Sequence, residues 1–193
     1  MQLFRERIAE RAEALIAAMP NQVSNGGNWH LPAEDISVAT YFTDTDGWVR
    51  SYSKACVSLC GRVPLVGVDR WCVTWRLYDR QGGYLPHDKC PMAVAIRQKR
   101  PIRGIEAIVE RPDGSRIPML PFPTPLFDDA GSIVGAVNIL VDLSNGAEME
   151  RLESQAARCR RLACSIDDTP TAEALRRLAE DFDARADALI GLA

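Results

Sequence analysis

Between Ile102 and Leu143 three strand-like runs follow one another, and this meander limits the fold more than any other part of the chain. The runs are Ile102–Glu110, Ile117–Phe127 and Ile133–Leu143, separated by the turn signals Pro112-Asp113-Gly114 and Asp128-Asp129-Ala130-Gly131. Connections this short join antiparallel neighbours, because a parallel return needs a crossover of a dozen or more residues. In the last run Val134, Ala136, Asn138 and Leu140 share one face by the two-residue period, and Ile133, Val137, Ile139 and Val141 share the other. Both faces are apolar apart from Asn138, so the outer face of the sheet calls for a covering helix. A short apolar helix pattern, Pro91–Gln98, leads into the meander.

The rest of the chain supplies helices and a first half. Leu3, Phe4, Ile8, Leu15, Ile16 and Met19 recur at helical spacing over 3–19, and Pro20 ends that amphipathic helix. A polar linker follows over 21–35, with Ser24-Asn25-Gly26-Gly27-Asn28 at its centre. A domain then spans 36–144. It opens with a strand, Val38–Thr43, a hairpin turn at Asp44-Thr45-Asp46-Gly47, and a returning strand, Trp48–Ser51. Ser53 is expected to cap a helix over Lys54–Cys60 that Gly61 stops. Residues 62–90 read as irregular. From 145 to 193 the pattern is a helical hairpin: one stripe runs Met149, Leu152, Ala156, Cys159, Leu162, Ala163, Ile166, the other Leu175, Leu178, Phe182, Leu189, Ile190. Thr169-Pro170 gives the second helix an N-cap threonine and a proline in its first turn.

Composition narrows the classes of function. The chain has 193 residues, 47% hydrophobic and 25% charged, with net charge -3. It carries no Lys/Arg cluster of the kind nucleic-acid binding requires, and no apolar run long enough to span a membrane. The expectation is a soluble, cytoplasmic protein. Its six cysteines (Cys56, Cys60, Cys72, Cys90, Cys159 and Cys164) are then reduced, and none is in a CxxC pair. With His30 and His87 as the only histidines, no metal site is expected. Asp44, Asp46, Asp128 and Asp129 all fall in turns, where carboxylates are structural, so no catalytic set emerges and an enzyme is not expected.

The order strand, turn, strand, short helix, irregular connection, helix and three-stranded meander resembles a PAS sensor domain. The motifs are Phe42-Thr43-Asp44-Thr45-Asp46-Gly47, His87-Asp88-Lys89-Cys90-Pro91-Met92, Glu110-Arg111-Pro112-Asp113-Gly114 and Asp128-Asp129-Ala130-Gly131-Ser132-Ile133-Val134-Gly135-Ala136-Val137-Asn138. They resemble bacterial PAS-only proteins and the PAS domains of sensor histidine kinases. The resemblance implies an α+β fold with a five-stranded antiparallel sheet and covering helices. It also implies a sensory module that binds a small molecule or senses redox state, pairs as a homodimer through its flanking helices, and passes the signal to a separate protein such as a histidine kinase or regulator. A ligand-free interaction adaptor with a filled core is the alternative. No histidine follows His87 to serve as a kinase phosphoacceptor, and no Asn-Cys-Arg motif is present, so flavin is not expected.

The resemblance places a ligand between the sheet and its covering helices, which makes Trp71, Trp75, Tyr78, Met92, Ile96, Asn138 and Leu140 the candidate ligand residues. The aromatics either line a pocket or plug the core. Asn138 either holds a ligand or satisfies a backbone group. His87 or Cys90 could be an axial haem ligand. Cys90 at a helix start could instead be a low-pKa redox thiol, and Asp88 could cap that helix.

Overall fold

In the computed structural model the described residues are 2–18 and 37–189, without the side chains of 2–5. Met19, Pro20, the 21–35 linker with His30, Ile36 and Ile190 lie outside them. The elements are α1 (Gln2–Ala18), β1 (Ala39–Thr43), β2 (Val49–Tyr52), α2 (Lys54–Cys60), β3 (Arg76–Asp79), α3 (Pro91–Gln98), β4 (Ala107–Glu110), β5 (Arg116–Phe127), β6 (Ile133–Asp142), α4 (Gly146–Ser165) and α5 (Thr169–Leu189). The strands form one antiparallel sheet in the order β2-β1-β6-β5-β4-β3. This is the α+β arrangement expected, with β6 and β5 at the centre of the sheet and β1 beside β6. Among the described residues no helix is long and apolar enough to cross a membrane.

The sheet has six strands rather than five, because Arg76–Asp79, inside the stretch that reads as irregular, pairs with β4. Its pairing signal is four residues long and sits between a half-exposed tryptophan and Gly82-Gly83. The run expected at Ile102–Glu110 shrinks to Ala107–Glu110. Gly104 there has φ +73°, and the Ile102 N–H donates to the Pro123 carbonyl at 3.2 Å. β5 carries prolines at 118, 121, 123 and 125, yet lies inside the sheet. β4 pairs with it only through Met119. Pro121, Pro123 and Pro125 share one orientation by the two-residue period, and the Pro123 carbonyl faces away from β6, toward residues 102 and 103. Proline, lacking an N–H, suits a strand edge with no neighbour to receive one.

The sheet is covered on both sides. On the inner face α2 packs on β1 and α3 on β5 and β6, enclosing Tyr41, Leu77, Met92, Val109, Met119 and Leu140. On the outer face Leu120, Phe122, Ile139 and Val141 meet Ile8 and Ala12 of α1, Met149 and Leu152 of α4, and Ala186 of α5. The outer face therefore finds its covering helices within the chain. In the hairpin the closest approach is made by alanines: Ala172, Ala179 and Ala186, seven apart, are the buried residues of α5, while Leu178 and Leu162 are 44% and 42% exposed. Small side chains let the two helices come close there. Of the stripes read from the sequence, Met149, Leu152, Ala156, Cys159 and Ala163 are buried and Leu175, Phe182 and Leu189 pack against them, whereas Leu162 and Leu178 turn outward.

Caps differ from expectation in two places. The Ser53 hydroxyl does not cap α2; it donates to the Val38 carbonyl at 2.7 Å and accepts the Thr40 N–H at 2.9 Å, binding the helix start to β1. At α5 the cap is Asp168, whose carboxylate accepts the Thr171 N–H at 3.1 Å. Its two oxygens make it a better acceptor there than the Thr169 hydroxyl.

Candidate functional site

The inner face holds a line of buried polar groups inside an otherwise apolar cluster. Asn138 on β6 faces Tyr41, its register partner on β1. The Asn138 side-chain oxygen accepts the Phe122 N–H at 2.9 Å, and its Nδ2 donates to the Tyr41 hydroxyl at 3.1 Å. That hydroxyl donates to the Trp71 carbonyl at 3.0 Å. Burial raises the Tyr41 pKa well above the usual phenol value, so it stays a neutral donor. Thr43 is fully buried two residues along the same strand, and its hydroxyl has no hydrogen-bond partner.

Trp71 joins this line to a second one. Its backbone has φ +68°, a region that a bulky residue adopts only when its surroundings impose it. The Trp71 N–H donates to the Gly47 carbonyl at 2.6 Å, and the ring lies against Gly47, where a Cβ would come within 2.1 Å of it. The Arg70 and Arg97 guanidiniums sit 5.0 and 5.4 Å from the ring centre. The Trp71 carbonyl also receives the Cys90 thiol at 3.6 Å. Cys72 follows directly, with its sulfur 3.2 Å from the Thr74 hydroxyl, which in turn lies 3.3 Å from His87 Nε2.

The two thiols interact and titrate in opposite directions. The neighbouring Cys90, aided by His87 and Thr74, holds Cys72 below the usual thiol range despite its burial. Burial and then Cys72 push Cys90 well above that range. The expectation of a low-pKa Cys90 is thus overturned. The N–H groups of Met92 and Ala93 at the α3 start do favour its thiolate, but burial at 1% exposure outweighs them. Cys72, which nothing in the sequence pairs with Cys90, is the thiol with thiolate character. Two more buried thiols lie alongside: Cys56 donates to the Thr40 carbonyl at 3.2 Å and is pushed up to about 12 by burial, and Cys60 is raised for the same reason.

The structure gathers Trp71, Met92, Ile96, Asn138, Leu140 and Cys90 at this inner face. It does not bring Trp75 or Tyr78 there. Trp75 is 51% exposed beneath Arg76, and so neither lines a pocket nor plugs the core. Tyr78 points to the outer side of β3, opposite to its core neighbour Leu77, where Tyr84 meets it edge-on and Arg116 lies 4.1 Å above its ring. Alternation along Arg76–Asp79 turns Tyr78 away from the face of Leu77, and Trp75 lies just outside that strand. Asp88 is exposed in a 3₁₀ turn and Cys90 occupies the cap position of α3. His87 and Cys90 do not fit an axial haem position as they stand, since His87 Nε2 is on Thr74 and the Cys90 sulfur is enclosed on Trp71. Among the described residues no group of three His, Cys, Asp or Glu is placed to hold a metal.

The turn carboxylates act as local acceptors. Asp44 receives the N–H groups of Asp46 and Trp48, and Asp128 those of Ala130 and Ser132. A separate groove of about 300 Å³ opens between α2, β1 and the end of α5, lined by Val38, Ala55, Leu59, Arg111, Leu140 and Leu189.

No family model matches the chain, and no curated protein matches it. Among solved structures it is similar to the LOV protein of Rhodobacter sphaeroides, at 14% identity and TM-score 0.46, over 82% of this chain and 89% of that one. It is also similar to the PAS domain of the fruit-fly ELK potassium channel (14%, TM-score 0.46, 56% of this chain and 88% of that one). A PAS domain from Colwellia psychrerythraea stands at 16% and TM-score 0.39, over 58% of this chain and 92% of that one.

Proposed function

We propose that the chain is a sensory signalling module of PAS type, in which the polar inner face responds to a small molecule or to redox state and the terminal helices carry the response outward. One observation supports this above the others. Strand β6 presents Asn138 to the buried polar line on one side, and its neighbours Ile139 and Val141 to α1, α4 and α5 on the other. A shift inside the core is therefore one strand's thickness from the helices that could meet a partner. Buried polar networks matter in this way because they hold their geometry only while every member is satisfied. A separate signalling protein or a second copy of the chain is the proposed receiver, with the exposed Leu162 and Leu178 of the hairpin as its contact points.

The test is hydrogen–deuterium exchange read over α1, α4 and α5, comparing the protein with its Asn138→Leu variant and before and after adding any molecule that native mass spectrometry finds bound. Altered protection of the terminal helices supports the reading. Exchange confined to the inner face, with the helices unchanged, leaves a filled structural adaptor instead.

A further inference from the structure

Two buried thiols lie at one peptide of positive φ. Cys90 donates to the carbonyl of Trp71, and Cys72 is the next residue of that same peptide group. Of the other thiols, Cys56 and Cys60 lie alongside on α2, Cys56 engaged by the Thr40 carbonyl, and Cys159 and Cys164 lie on α4. From Cys72 a hydrogen-bonded path runs through the Thr74 hydroxyl to His87, which is half-buried and so leads toward the surface. Thr74 itself is 1% exposed, and its buried hydroxyl lies between the Cys72 sulfur and His87. The positive φ of Trp71 adds the last element, a backbone held against its own preference at the carbonyl that Cys90 reaches and Cys72 adjoins in sequence.

We infer that Cys72 and Cys90 form a hydroperoxide-sensitive dithiol, with Cys72 the sulfur that is oxidised and Cys90 the thiol that resolves it to a disulfide beside Trp71. The Cys72 thiolate attacks the outer oxygen of a hydroperoxide, the O–O bond breaks, and the alkoxide leaves as an alcohol after taking a proton. Cys72 is then a sulfenic acid. The Cys90 sulfur attacks that sulfur, the S–O bond breaks, and the hydroxide takes the Cys90 proton to leave as water. Two thiols have given two electrons to one peroxide. A dithiol reductant restores them by exchange. Forming the bond removes the Cys90 donor from the Trp71 carbonyl, so the strained residue loses one of the contacts that holds it. This names the stimulus for the proposed sensory role and rests on that reading only for its consequence, since the bond forms or not by itself.

The test treats the full-length protein with a small excess of hydrogen peroxide, counts thiols after unfolding, and maps cross-linked peptides. The expected result is four free thiols out of six, with one link joining the peptides of residues 72 and 90, reversed by a dithiol. Cys90→Ser should instead trap a sulfenic acid at position 72 that reacts with a dimedone probe, while Cys72→Ser should leave five unmodified thiols. Thr74→Val, which removes the hydroxyl beside Cys72, should slow the oxidation several-fold. Circular dichroism of each variant confirms that it is folded, and the wild-type count decides the matter should a variant unfold. Six thiols after treatment, or a link that omits position 72 or 90, overturns the dithiol while leaving a small-molecule sensor standing. A correct link with unchanged exchange in α1, α4 and α5 keeps the dithiol and sinks the sensory reading.

Discussion

Asn138 donates its amide N–H to the Tyr41 hydroxyl at 3.1 Å across two paired central strands, and through it reaches the Trp71 carbonyl. Each member depends on the next. Tyr41→Phe removes the hydroxyl, strands the Asn138 amide and leaves the Trp71 carbonyl to the Cys90 thiol alone, so a loss of about 1–3 kcal/mol is expected in denaturant unfolding. Asn138→Leu should cost a similar amount by releasing the Phe122 N–H as well. The double variant should lose clearly less than the sum of the two, because the pair is a unit. Strict additivity in a double-mutant cycle would show that the two groups do not couple.

Gly47 stands where no other residue fits. Its φ of +85° favours glycine, and a Cβ would press into the Trp71 ring at 2.1 Å. Gly47→Ala should therefore destabilise by about 2–4 kcal/mol, the sum of backbone strain and displaced packing. Gly114 has a similar φ of +84° with nothing within 4 Å of the added carbon, so Gly114→Ala should cost only the backbone part, about 1 kcal/mol. Equal losses at the two sites would remove the Trp71 contact as the reason.

Alkaline pH should weaken the fold. Cys56, Cys60, Cys90 and Tyr41 all have folded-state pKa values raised by burial, while in the unfolded chain the thiols ionise near 9.0. Between those values the unfolded state has lost protons that the folded state keeps, so stability falls as pH rises. Each such thiol contributes a slope of about 1.4 kcal/mol per pH unit until its folded pKa is reached, about 12 for Cys56. Cys72 works the other way, its stabilisation growing as pH rises up to the unfolded thiol value and then levelling off. The melting temperature should thus decline steadily from pH 9 to pH 10.5, and less steeply in Cys56→Ala. A flat profile through that window would contradict the burial of these thiols.

Arg103 ties α1 to the edge of β5. Its guanidinium donates to the Pro123 carbonyl and the Thr124 hydroxyl, each at 2.8 Å, and to the Glu13 carboxylate of α1. Glu13 is 51% exposed, so the ion pair alone is worth at most about 0.5 kcal/mol, whereas loss of the guanidinium removes two hydrogen bonds to the strand as well. Arg103→Ala should speed proteolysis or hydrogen exchange of α1 markedly, and Glu13→Gln only slightly. The reverse order would assign the anchoring to the charge pair.

Much of the architecture is legible without the structure. The bounds of Lys54–Cys60 and Pro91–Gln98 are those the sequence suggests, since Gly61 with φ +63° ends the first and Pro91 opens the second. The two-faced apolar pattern of β6 foretells a covering layer outside the sheet, and α1, α4 and α5 supply it. Arg76–Asp79 was not legible, because four residues with a single inward side chain carry no period to detect. The aromatic trio around it misled too: Trp75 and Tyr78 are near Trp71 in sequence, but strand alternation turns Tyr78 away from the core and Trp75 stays exposed ahead of the strand.

What the sequence determined by itself was local: hydrophobic period, turn chemistry and the helix stops, each a matter of neighbours within a few residues. The site belongs to the tertiary structure. Cys72 and Cys90 are eighteen positions apart and acquire opposite acidities only in the fold, where Cys90, His87 and Thr74 hold Cys72 down while burial and Cys72 push Cys90 up. Thiol acidity is a property of burial and of the groups that face the sulfur, and neither is written in the order of the residues.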